Sequence, residues 1–146
     1  MTNIRTKGGD GEREVCKILN NLYLECMRIK KSGFSCEDID LPFQRNQNQS
    51  AVGGSDISND FLLCIEVKRH EALSVKSWWK QCLASAMRSK GSVPILMYRQ
   101  NKKSWIVQMR LYDLSPECPK HLGGMTVSIS MEHFLEWLKF YLRIYL

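Results

Sequence analysis

Asp56, Glu66 and Lys68 are the residues whose types and spacing point most directly to chemistry. Glu66 and Lys68 follow the apolar run Phe61-Leu-Leu-Cys-Ile65. On an extended strand, residues two apart stand on one face. Asp56 opens the preceding extended segment, across the turn Ser58-Asn59-Asp60, and pairing of the two segments brings it within reach of Glu66. Two carboxylates beside an ammonium suit a hard divalent cation, because Mg²⁺ takes oxygen ligands, keeps several waters and is commonly held by one or two carboxylates. Such a cation lowers the pKa of its water, which can attack a phosphodiester phosphorus. The lysine can orient that water or stabilise the developing charge. The competing reading is a surface Glu–Lys pair beside an unrelated Asp, which has little energetic consequence. Five consecutive apolar residues before Glu66 favour a strand buried on both faces, where an idle charge is costly.

The flanking sequence supplies elements to hold these residues. Asp10 is a candidate N-cap after a Gly-containing lead-in over 1–9, and Val15, Ile18, Leu19, Leu22, Cys26 and Ile29 recur at helical spacing. This helix is expected to stop by Ser32-Gly33. Leu41–Arg45 reads as a short strand, 46–54 as a turn-rich loop, Asp56-Ile57 as the start of a second strand and Phe61–Lys68 as a third. A helix is expected over Val75–Arg88, then strands over Val93–Arg99 and Ser104–Met109. The C-terminal segment Met131–Tyr145 carries one broad apolar face and a second apolar line of Trp137, Phe140 and Ile144. It predicts a helix buried on most sides, serving either packing or dimerisation. The order is αβββαββα, an α/β fold with a five-stranded sheet covered on both faces.

The chain of 146 residues has the size of a single domain, and no repeat or linker divides it. Its net charge of +6 is uneven. Ten basic residues and one acid lie between Lys68 and Arg110, a net of +9, and the remainder carries −3. A basic block interleaved with Trp78, Trp79, Tyr98 and Trp105 fits a surface that tracks phosphates, although solvated basic faces are common. No apolar run is long enough to span a bilayer, and the N-terminus has no apolar signal core, so a cytoplasmic protein is expected. The six cysteines contain no Cys-x-x-Cys pair and the three histidines offer no matching ligand pair. Reduced thiols are therefore expected rather than a zinc or disulfide framework.

The order Asp56…Glu66-Val67-Lys68 after a hydrophobic strand resembles the motif of the PD-(D/E)XK nucleases. More widely, the chain resembles archaeal-type Holliday junction resolvases and small phage endonucleases. Their opening Lys-Gly-x-x-x-Glu-Arg is met by Lys7-Gly8-Gly-Asp-Gly-Glu12-Arg13, their strand arginine by Arg45, and their Ser/Gly-rich loop by Ser50-Ala-Val-Gly-Gly-Ser-Asp56. The likeness runs from Lys7 to about Tyr98, with Ser55 in place of the motif's proline. It implies a restriction-endonuclease-like core with a mixed sheet. Asp56 and Glu66 become metal-binding carboxylates, the main-chain carbonyl of Val67 a further ligand, Lys68 the catalytic lysine, and Glu12 a fourth contributor from the first helix. Glu14, about 200° round the helix from Glu12, is expected to face solvent.

Arg13 and Arg45 would contact phosphate, and Lys7, Ser50, Arg69, Lys76, Lys80 and Gln81 complete the candidate DNA-binding set. Gln81 matches an exonuclease-like glutamine, but the tyrosine expected four residues later is missing. Trp78 and Trp79 read better as packing residues than as stacking platforms, and His70 as a DNA-facing or solvated side chain rather than a general base. The implied cofactor is Mg²⁺, with Mn²⁺ also expected to support activity. The implied substrate is a four-way junction or other branched DNA, cut by a homodimer because symmetric cleavage needs two sites. Linear, flap or single-stranded DNA is the alternative substrate, and a non-cutting DNA-binding module is the alternative class.

Overall fold

The computed structural model describes residues 4–30, 40–46, 55–89 and 91–146. A first helix, α1 (Ile4–Lys30), leads into β1 (Gln44–Arg45), β2 (Ile57–Ser58) and β3 (Leu63–Arg69). Then come α2 (Val75–Arg88), β4 (Val93–Arg99), β5 (Ile106–Arg110) and the single turn α3 (Leu111–Leu114). A 3₁₀ turn at Lys120–Leu122, β6 (Thr126–Ser130) and α4 (Met131–Leu142) complete the chain. The sheet is mixed and its strands lie in sequence order, with β3 and β4 parallel and every other neighbouring pair antiparallel. A parallel pair needs a crossover, and α2 supplies it.

Each strand's alternation divides the interior into two layers. Leu63, Ile65 and Val67 of β3, with Ile95, Met97, Val107 and Met109, pack against Val15, Leu19 and Leu22 of α1 and Phe134, Leu138 and Leu142 of α4. On the opposite face Leu96 and Tyr98 meet Trp78, Trp79 and Cys82 of α2. The two tryptophans are core residues, in keeping with their reading as packing residues. β3 and β4, the two strands covered on both faces, are also the two whose sequences read as nearly continuous apolar runs.

Four expectations are corrected. Among the described residues the sheet has six strands, not five, and the order αβββαββα lacks α3, the 3₁₀ turn and β6. The segment Thr126-Val-Ser-Ile-Ser130 alternates as a strand does, but hydroxyls alone fill its open face, so no apolar run marks it. The first helix starts at Ile4 rather than after a cap at Asp10, so part of the expected lead-in 1–9 is helical. Leu62, placed in the third strand by its apolar neighbours, lies in the preceding turn with φ 59° and is exposed. The C-terminal helix is not buried on most sides. It ends at Leu142, and Phe140 and Ile144 are 64% and 79% exposed; among the described residues its main packing is against α1, β5 and β6.

Candidate active site

Asp56 is fixed by main chain on every side. Its amide donates to the Ile65 carbonyl at 3.0 Å, its carbonyl accepts from the Asn46 amide at 2.9 Å, and its Oδ2 accepts from the Val67 amide at 2.7 Å. The two bonds to β3 fall on either side of Glu66, so Asp56 brackets that residue. The turn that returns the chain to β3 is held by Asn59. Its Oδ1 accepts from the amides of Phe61 and Leu63, and its Nδ2 donates to the Leu63 carbonyl at 2.8 Å. A short polar side chain that bonds its own neighbouring backbone is what such a turn requires.

The two carboxylates are buried together, Asp56 at 8% and Glu66 at 7% exposure. Burial, then repulsion from Asp56, pushes the Glu66 carboxyl up to about 8. Burial also raises Asp56, while the Val67 amide and a hydrogen bond from Glu66 oppose the rise. A carboxyl raised by that bond beside one lowered by it is a pair sharing one proton, carried by Glu66. The Lys68 charge favours ionisation of both. Lys68 itself is half-buried at the end of β3, opposite Tyr98.

Glu12 is close enough for its charge to raise Asp56, but Arg45 Nε binds its Oε2 at 2.8 Å. Among the described residues no group of three or more His, Cys, Asp or Glu side chains forms a metal cage. The donors gathered here are two carboxylates and the neighbouring main chain, a hard-oxygen set that suits Mg²⁺ rather than a softer ion. A divalent charge is also what relieves two buried acids. Cys64 and Cys82, behind the site, are free thiols making reciprocal contacts to each other's main-chain carbonyls at 3.9 and 3.8 Å.

Glu14 corrects the expectation that it faces solvent. Its Oε2 accepts from Arg99 Nη2 at 3.0 Å and its Oε1 from the Trp105 indole at 2.9 Å, and the Arg99 guanidinium lies 5.3 Å above the Trp105 ring. Glu12 and Glu14 thus tie opposite flanks of α1 to β1 and to the β4–β5 region. Between them Gly11 is buried against β3, where an added Cβ would lie 3.3 Å from Arg69 Cβ. Asn20 extends this anchorage, its side chain making two bonds to the Phe43 main chain at 2.9 and 3.0 Å.

The remaining candidates are dispersed. Arg13 is exposed and paired with Asp10 at 3.0 Å. Lys76, Lys80 and Gln81 are exposed on α2, and Arg69 is half-buried with its Nε unpartnered. His70 packs against Trp78 with ring centroids 5.2 Å apart, so it is not simply solvated. Lys7 lies on α1, and Ser50 is outside the described residues. Among the described residues no helix is long and apolar enough to cross a membrane.

No curated protein and no solved structure matches the chain. A family model described as "Phage putative PDDEXK endonuclease" matches residues 3–138, from before Glu12 to the middle of α4. The match takes in the bracketed acid pair, Lys68 and the α1 anchorage, and the chain belongs to this phage family of PD-(D/E)XK endonucleases.

Proposed function

We propose that the chain is a metal-dependent DNA endonuclease that hydrolyses phosphodiester bonds in four-way junctions or other branched DNA. It works as a homodimer in the cytoplasm of the host cell. The observation that carries the chemistry is the pair Asp56 and Glu66, buried together, held by main-chain bonds on either side of Glu66 and followed on β3 by Lys68. In this reading both carboxylates and the Val67 carbonyl hold Mg²⁺ or Mn²⁺. The ion supplies Lewis acidity toward the scissile phosphate and a nucleophilic water at neutral pH. The Val67 amide holds Oδ2 of Asp56 in place, while the bond to Glu66 would be given up to the ion. Glu66 gives up its shared proton as the site fills. Lys68 orients the attacking water or meets the charge growing on the phosphoryl oxygens. Arg45 contacts a phosphate, and Glu12 adds its charge once Arg45 is drawn away.

The test incubates labelled four-way junction, linear duplex and single strands with protein plus Mg²⁺, Mn²⁺ or chelator. Paired nicks near the branch point are expected, lost in chelator and in Asp56→Asn and Glu66→Gln with binding retained. Binding without a metal-dependent cut on any of these substrates would falsify the enzyme reading. Cutting of linear or single-stranded DNA alone would move the substrate to the other nuclease class.

A further inference from the structure

We propose that β6 is a dimerisation edge, pairing antiparallel with β6 of a second copy about a two-fold axis through Ser128, with the apolar flank of α4 closing over the seam. The inference rests on the homodimer that junction cutting requires, and it names the surface.

An unpaired edge strand is a template for another chain, and monomeric proteins guard such edges with shortness, Lys, Pro or bulges. The other edge of this sheet, β1, is two residues long. β6 has five residues in unbroken register with β5 and contains no charge, proline or glycine. Its sequence is also self-complementary. Reversed about Ser128, Thr126 meets Ser130, Val127 meets Ile129 and Ser128 meets itself. The β-branched pair falls on the face carrying α4, because Ile129 packs into the core beneath that helix, and the hydroxyls fall together on the open face. Apolar pairs and Thr–Ser pairs both stabilise directly opposed positions.

A second observation points the same way. Lys139, on one flank of α4, reaches Glu25 of α1 at 3.8 Å. At 100° per residue, Trp137 therefore lies on the flank turned away from α1, whereas Phe140 points outward, nearly opposite the buried line of Phe134, Leu138 and Leu142, with the Arg143 guanidinium 4.8 Å above its ring. Since α4 lies over β5 and β6, the Trp137 flank is on the side of the outer β6 edge, which no strand among the described residues pairs. Trp137 is half-buried there, and Ile144, in the turn just past the helix end, is mostly exposed. Two five-residue strands bury too little for a stable dimer, whose interface typically covers about 1,600 Å² in total. Covering the paired α4 flanks supplies the remainder.

The test uses the full chain. By light scattering or sedimentation, the wild type is expected at twice 17.0 kDa. Ser128→Lys places like charges opposite each other and is expected to give monomer with an unchanged far-UV circular dichroism spectrum. Ser128→Glu is expected to do the same, and an equimolar mixture of the two variants to recover the dimer. Loss of a fold-wide property would not be rescued by mixing. Independently, Ser128→Cys should cross-link to itself under diamide, above the wild-type background from native cysteines. A monomeric wild type, a Ser128→Lys dimer or a mixture that stays monomeric overturns the proposal. Nicking separates this failure from that of the substrate reading. Monomeric Ser128→Lys should still nick DNA with Mg²⁺ while losing paired cuts. A wild-type dimer held by β6 that makes no paired cuts overturns the junction reading and leaves the interface standing.

Discussion

The proton shared by Asp56 and Glu66 couples the site to stability. An isolated Glu ionises near 4.5, whereas Glu66 in the fold does so at about 8. Between those values the native state holds more protons than the unfolded chain, so metal-free stability falls as pH rises and levels off above about 8. Glu66→Gln removes the buried ionisation. Its melting temperature, measured in chelator, should vary less over this window and exceed the wild type's at pH 8, while cutting is lost. A wild-type melting temperature that rises from pH 5 to pH 8 would show that the pair is not protonated. Mg²⁺ binding should release a proton, visible in titration calorimetry as a dependence on buffer ionisation enthalpy, and should strengthen as pH rises. The three principal residues were legible because burial on β3 follows from five apolar neighbours, and a charge ending such a run needs a purpose. Glu14 was not, because a helical wheel gives a direction and cannot reveal that Arg99 and Trp105 stand there.

At the scale of elements, α1 determines where Glu12 stands, and its position is held by Gly11, Glu14 and Asn20. Gly11→Val would force a branched side chain against Arg69 Cβ, which moves only with the β3 backbone. Chemical denaturation should show a loss of about 1–3 kcal/mol, as for other overpacked sites. Glu14→Ala leaves Arg99 and the Trp105 indole without their acceptor, so about 1–3 kcal/mol is also expected. Glu14→Gln keeps an acceptor for the indole and should lose less. Equal losses in the two Glu14 variants would mean that the indole bond contributes nothing. The helices, β3 and β4 could be read from the sequence because apolar periodicity and burial coincide there. β6 escaped that reading, since its open face asks only for hydroxyls, and the start at Ile4 escaped it because Gly8 and Gly9 read as a loop. Close approach to β3 accounts for the glycine at position 11.

Across the whole molecule, the net of +9 between Lys68 and Arg110 overstates the charge available to DNA. Arg99 is committed to Glu14, and Arg110 to Asp113 at 2.7 Å, each partner lying outside the segment. Sequence order revealed the block but not the Arg99–Glu14 pair, whose partners are 85 residues apart and meet only once α1 docks on the sheet; Arg110 and Asp113 are near neighbours in sequence. Lys76 and Lys80, by contrast, are exposed together on α2, the helix packed on the face of β3 that carries Glu66 and Lys68. A phosphate backbone lying across that face would release counterions from sites contacted by these lysines. Each duplex phosphate neutralised adds about 0.9 to the slope of log K against log salt concentration. Binding of duplex-armed junction DNA by the Lys76→Gln, Lys80→Gln double variant should therefore show a slope shallower by about 1.8. Arg110→Gln should leave the slope unchanged while costing some stability. The two measurements, made across the same salt series, separate charge that meets DNA from charge that holds the fold. An unchanged slope in the double variant would remove α2 from the DNA path, whereas a shallower slope in Arg110→Gln would mean that its pair with Asp113 opens to meet phosphate.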